Sequence, residues 1–328
     1  MKKLYIALVL LFITALCNAQ TVVKGKVKDI HTNEVLGYAT ITTADQQKHT
    51  ISNSEGLFSL SCPATTTSFF ITYIGYAPLQ VKLNNLPADD IYYLEKQDMD
   101  LEEIIIMNSP IDEFISSLIQ NSIKQLKAPL VLNAYYREFV IFNDVYSKFS
   151  DGLVDYGVYR KEKDMATELV VNQSRAEKLR DSDEKNNIKV IGFDVGEAVN
   201  YSYSFFFLQS ALLKKKAHKN YDFVFKSYNP GTGEPQQIIT FTPKKGVEKA
   251  LYEGTIIYDT EKKIIMNVDL KLSPAYRKYA KASNRLIIHM LLKDLSHKSV
   301  FRQVNGNYLL SYSSTYGKAH AWNKFNYD

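Results

Sequence analysis

A chain of 328 residues with 40 basic and 35 acidic side chains is close to charge balance, and its cations are spread along its length, which argues against a nucleic-acid partner. Two cysteines are too few for a disulfide framework, so a fold of this size must be held by apolar cores, and the length suggests two domains. No stretch beyond the amino terminus reaches transmembrane length.

Lys2 and Lys3 precede an apolar run over residues 4–16, followed by Cys17-Asn18-Ala19-Gln20. A charged start, a short apolar segment and a small residue before the cut predict a secretory signal peptide, residues 1–19, cleaved after Ala19. Leu16 is not the small residue expected before a lipid-accepting cysteine, so soluble export is preferred over lipid anchoring. Loss of Lys2 and Lys3 takes the net charge from +5 to +3 and leaves Cys62 without a disulfide partner in its own chain. The expected address is the periplasm, the periplasmic face of the outer membrane, or the medium.

Residues 20–96 read as short strands between turns. Residues 23–27 alternate with period two, residues 37–41 form a second strand, and Asn53-Ser54-Glu55-Gly56 is a turn leading into a strand at 57–60. Residues 69–74 form a core strand ending at Gly75-Tyr76, and 81–83 and 91–94 complete the set. Short strands with regularly placed turn signals predict a β-sandwich. The ordered motifs V-x-G-x-V-x-D at 23–29, Gly37-Tyr38-Ala39-Thr40-Ile41, residues 50–58 and Tyr73-Ile74-Gly75-Tyr76 resemble the carboxypeptidase regulatory-like domain of exported Bacteroidetes proteins. That resemblance implies a transthyretin-like sandwich with no peptidase activity of its own, often placed ahead of outer-membrane receptors or surface proteins. Physically, Gly25, Gly56 and Gly75 are expected at turns or bulges. Asn53 and Glu55 suit a β-turn better than a calcium site, and Tyr73 and Tyr76 suit the core and its rim.

Residues 97–128 are a linker and an amphipathic helix. Asp98, Asp100, Glu102 and Glu103 form a solvated acidic stretch, and residues 100–106 resemble the segment that follows the domain in receptor proteins. No receptor plug or barrel pattern follows, so a transport role is not implied. Over residues 109–129 the apolar positions Ile111, Phe114, Ile115, Leu118, Ile119, Ile123 and Leu126 make one helical stripe. Ser109 is the expected cap, Pro110 the first helical residue, Asp112 and Glu113 the acids at the positive end, Lys124 and Lys127 the bases at the negative end, and Pro129 the stop.

Residues 129–328 predict an α+β domain: an antiparallel curved sheet or half-barrel packed on helices, so that the whole chain is all-β followed by α+β. Strands are expected at 134–142 and 145–159 around Asn143-Asp144. Residues 160–185 are a charged excursion, with a strand-like run at 168–171 and a helix-like run at 173–180. Residues 196–216 form a second expected helix, apolar on nearly every side. Its Tyr201, Phe205, Phe206, Leu208 and Leu212 would line a cavity for an apolar ligand, with plain core packing as the simpler account. Lys214, Lys215, Lys216, His218 and Lys219 complement its carboxyl end.

Strands then follow at 221–228 and 237–242 around the loop 229–235, at 251–258 and 264–272, and at 285–293 and 298–304. A short helical connection spans 273–281, and Asn305-Gly306 turns the chain into a last strand at 307–316. The hairpin 253–268 is similar to one in periplasmic lipoprotein carriers and their half-barrel relatives. The order sandwich, helix, then Tyr135-Tyr136-Arg137-Glu138 resembles the periplasmic front part of larger Bacteroidetes outer-membrane proteins.

The six histidines are scattered, no metal spacing or Gly-x-Ser-x-Gly elbow occurs, and Cys62 sits beside Pro63 as an inert thiol. No catalytic, metal or cofactor residues are therefore assigned. The expectation is an exported, non-enzymatic binding or envelope-associated protein that holds an apolar ligand or docks to an outer-membrane partner, protein or glycan. The alternative is a structural or assembly factor at the outer membrane without a small ligand, and a hydrolase is the weakest reading.

Overall fold

The computed structural model describes residues 21–45, 47–97, 110–161, 164–179, 215–228, 236–285, 288–304 and 306–323, and these are mostly β-strand. The chain divides into two compact units, Met1–Ile104 with Lys226–Gln237 and Ile105–Phe225 with Ile238–Asp328.

The first unit contains β1 (Thr21–Asp29), β2 (Thr40–Thr43), β3 (His49–Ile51), β4 (Leu57–Cys62), β5 (Ser68–Thr72), β6 (Leu79–Lys82) and β7 (Ile91–Leu94). They form two sheets, ordered β4-β1-β7 and β3-β2-β5-β6. β4 shows the cause: Phe58, Leu60 and Cys62 point inward while Leu57, Ser59 and Ser61 point to solvent, the period of a half-buried strand. Val23, Val27, Ile41, Leu60, Ile71 and Leu94 from both sheets share one core, into which Phe58, Phe69 and Tyr92 pack with ring centroids 5.3–6.3 Å apart. Gly56 and Gly75 take positive φ of 73° and 84°, as turn glycines do. Gly25 does not serve a turn. It lies within β1, where a Cβ would stand 2.1 Å from the Tyr92 ring, so its missing side chain makes room for that ring.

The second unit opens with α1 (Ile111–Gln125). Its Ile115, Leu118, Ile119 and Ser122 are buried, and it packs against strands later in the unit. Burying each of the three apolar side chains contributes about 1.5–3 kcal/mol. The helix starts one residue later than expected: Pro110, at φ −55° and ψ 140°, occupies the cap position without a side-chain cap, and Ser109 lies outside the described residues. The helix ends at Gln125, and Leu126 is extended, so Lys127 is not in the last turn.

β8 (Leu130–Phe142), β9 (Val145–Lys161) and β10 (Asp164–Lys178) follow as one antiparallel sheet, ordered β10-β9-β8. β10 corrects the expected excursion: residues 173–178 are strand, not helix, held in register against β9 from Lys148 to Leu153. The second sheet contains β11 (Tyr221–Tyr228), β12 (Gln236–Pro243), β13 (Tyr252–Asp259), β14 (Ile264–Leu272), β15 (Ser283–Arg285), β16 (Ile288–Val304) and β17 (Asn307–Asn323). Its order is β11-β12-β13-β14-β16-β15, with β17 on β16. The strands expected at 285–293 and 298–304 are largely one, β16, which runs on through a register shift between Leu292 and Asp294. β17 runs to Asn323, beyond the expected end at 316, because β16 supplies a partner along that whole length.

α1 covers this sheet. Ser122 donates to Leu118 O (2.7 Å) and accepts from the Ile265 amide (2.9 Å), which ties helix to β14. Tyr308 stacks on Phe301 at 5.3 Å and donates to Ile265 O from within the core. Short 3-10 segments at Lys215–Asn220 and Arg277–Tyr279 stand where a helix end and a helical connection were expected. Among the described residues no helix is long and apolar enough to cross a membrane.

Candidate docking surface

Tyr201, Phe205, Phe206, Leu208 and Leu212, the expected lining of an apolar cavity, lie outside the described residues. The surface that stands out is elsewhere, on β8–β10. Along β8, half-buried and exposed side chains alternate without a break. The exposed set includes Val131 (61% exposed), Tyr135 (54%) and Phe139 (53%), joined by Tyr146 (55%) and Leu153 (51%) of β9 and Val170 of β10. The register places these side chains on one face. Tyr135 lies opposite Leu153 and Gln173, Arg137 opposite Asp151 and Arg175, and Phe139 opposite Phe149 and Glu177. On the other face Val154, Tyr156 and Val158 are buried, and Leu130 and Leu132 pack on the main core of the unit.

A polar network fixes the exposed face. Arg175 donates to both oxygens of Asp151 (3.1 and 2.7 Å), Tyr135 donates to Asp151 Oδ2 (2.9 Å), and Arg137 donates to the Tyr135 hydroxyl (3.0 and 2.8 Å). Asp151 is itself 8% exposed, and the Arg175 hydrogen bond, then that of Tyr135, holds its carboxyl below the usual range. Both guanidinium groups lie over aromatic rings, Arg137 5.3 Å from Tyr135 and Arg175 5.2 Å from Phe149. Phe139 packs against Phe149 at 5.1 Å and Tyr146 at 5.7 Å. Hydrogen bonds from Asn172, then Asn133, hold the Asp155 carboxyl low as well. The result is a preorganised patch of aromatic rings and arginines, the residue types enriched where proteins bind each other.

Other sites flagged by residue type have structural partners. Asp29, fully buried, accepts from the amides of His31 and Thr32 (2.8 Å each) and from the Tyr76 hydroxyl (2.7 Å), and these bonds hold its carboxyl far below the usual range. Asn53 Oδ1 accepts from the Leu57 amide (2.8 Å), the bond of a turn. Cys62 is buried, and burial pushes its thiol pKa up. His297, 1% exposed, sits between Thr315 Oγ1 (2.8 Å) and Ser299 Oγ (2.7 Å), and burial lowers its pKa to about 4. Ser299 is fully buried, so this hydroxyl–imidazole pair lies out of contact with solvent. Arg277, Lys278, Ala280, Leu291, Leu292 and Lys293 line a cleft of about 290 Å³, where Arg277 is paired with Asp294 at 2.9 Å. Among the described residues no three His, Cys, Asp or Glu side chains are grouped to hold a metal ion.

Comparison with known proteins bears on the first unit. Residues 23–106 match the family model of the CarboxypepD_reg-like domain, a span that takes in β2 to β7 and most of β1. No curated protein and no solved structure matches the chain.

Proposed function

We propose that the protein is exported to the cell envelope and works there as a non-enzymatic docking protein, with the exposed face of β8–β10 as its binding surface. The observation that carries this reading is that Val131, Tyr135, Phe139, Tyr146 and Leu153 are exposed on one face of the sheet, where the Arg137–Tyr135–Asp151–Arg175 network lies between the Tyr135 and Phe139 rows and fixes Tyr135. Exposed apolar residues scattered singly are ordinary, whereas several large ones on one face, interleaved with arginines, have the composition of an interaction site. The regulatory-like match at 23–106 and the Lys2-Lys3 leader pattern support an exported accessory protein, with a transthyretin-like first unit and a half-barrel-like second unit. The closed environment of Ser299 and His297 fits a scaffold better than a hydrolase. The partner expected is an envelope protein with an apolar, hydrogen-bonding surface.

Cell fractionation tests the reading. The wild-type protein, beginning at Gln20 by mass spectrometry, should be retained with the envelope, and the Phe139→Asp, Tyr146→Asp variant should move to the soluble exported fraction with its Trp322 fluorescence unchanged. Equal retention of both forms would rule out this face as the docking surface.

A further inference from the structure

The face of the β8–β10 sheet is one feature; its edge is another. Among the described residues β8 pairs with β9 alone, so its outer edge presents a row of backbone donors and acceptors without a neighbouring strand. Such edges are normally blunted by charge, proline, a bulge or shortness. β10, the opposite edge, follows that rule: five of its 15 residues are charged and its register shifts between Val171 and Gln173. β17 also has a shift, at Tyr312/Leu310, and is bridged to Leu126 at Tyr308. β8 is weakly defended by comparison. It runs for 13 residues without glycine, proline or an inserted residue, and its charges are Arg137 and Glu138 alone. The bulge in the β8–β9 ladder places the extra residue, Ser147, on β9.

We propose that β8 is a dimerisation edge, joining antiparallel to β8 of a second copy about a two-fold axis at Tyr136 to make a six-stranded sheet. Self-complementarity of the strand selects this occupant. About Tyr136 all 13 residues find partners: Val131 stands opposite Ile141, Asn133 opposite Phe139 and Tyr135 opposite Arg137 on the exposed face. Leu130 opposes Phe142, Leu132 opposes Val140 and Ala134 opposes Glu138 on the other face. No like charges meet, and Arg137 faces Tyr135 of the second copy, the ring type it already covers in its own chain. Moving the axis to Arg137 would oppose two guanidinium groups, and moving it to Glu138 two carboxylates. A two-fold normal to the sheet keeps both exposed faces on one side, which doubles the docking surface and makes binding to a clustered partner bivalent. The edge pairing itself does not depend on the docking role of the face.

The test uses purified mature protein with no partner present. Sedimentation at tens of micromolar should give twice the chain mass, dissociating on dilution. The variants Asn133→Lys, Phe139→Lys and Asn133→Glu, Phe139→Glu each set like charges opposite in two rows. Each should raise the dimer dissociation constant at least about tenfold, and mixing the two should restore a heterodimer. As a gentler check, mixing the single variants Asn133→Cys and Phe139→Cys under mild oxidation should yield a disulfide-linked pair that neither gives alone. A monomeric wild type, a mass that grows beyond two chains, a Lys variant that still dimerises, or absence of the mixed disulfide would overturn the proposal.

Discussion

Lowering the pH should weaken the second unit through one side chain, His297. The imidazole is 1% exposed, and burial brings its pKa from 6.5 to about 4. Between those values the unfolded chain binds a proton that the folded chain refuses, so stability falls as pH falls. The contribution is whole above about pH 6.5, drains away as pH drops toward 4, and changes no further below that. At 1.36 kcal/mol per pKa unit the loss is about 3 kcal/mol, a large share of the 5–15 kcal/mol typical of a domain. The assay is urea unfolding at pH 7.5, 6.5, 5.5 and 4.5, followed by fluorescence of Trp322, the sole tryptophan, which stacks between His289 and His320 in the same sheet. Comparison with His297→Gln cancels the titration of carboxylates common to both proteins. The variant should cost about 1–3 kcal/mol at pH 7.5, through the bonds to Thr315 and Ser299, and the gap should close or reverse by pH 4.5. A gap that stays constant over that range would refute the buried neutral imidazole.

Three further outcomes follow from the packing. Leu118→Ala, at a fully buried position of α1, should destabilise the second unit by about 2–5 kcal/mol in urea unfolding read at Trp322. Gly25→Ala would set a methyl group against the Tyr92 ring and 2.9 Å from Asp90 O, and should cost the first unit about 1–3 kcal/mol by hydrogen exchange of β1 and β7. Ser122→Ala leaves the buried Ile265 amide without its acceptor and should cost about 1–3 kcal/mol, which Ser122→Thr would partly restore.

Local patterns explain which parts of this fold could be read in advance. Residues 264–272 were legible as a strand because a polar turn precedes them and their partners at 252–259 carry the same apolar character. α1 was legible because Ile115, Leu118 and Ile119 make a stripe, yet its cap was displaced, since Pro110 adopts extended ψ instead of entering the helix. The second half of β10 reads as helical because Arg175, Glu177 and Lys178 suit a solvated helix, and an exposed edge strand lacks the apolar alternation that betrays a buried one. The docking face was hidden for the opposite reason. β8 is apolar at both parities, a pattern that normally means burial on both sides, and only the register with β9 and β10 shows one side open. His297 and Ser299 share a strand face at spacing two, but Thr315 joins them through the β16–β17 register, which spacing alone does not reveal. Asp29 closes the V-x-G-x-V-x-D motif, and its partner Tyr76 is 47 residues away.

The exposed face of β8–β10 is proposed to meet an envelope partner. Site-specific photo-cross-linking in intact cells tests it most directly, with the reactive group at Tyr135 or Phe139 and, as a control of similar exposure, at Leu57 in the first unit. One dominant product is expected from Tyr135 and Phe139 and none from Leu57. Equal labelling from all three positions, or none from the face, would contradict it.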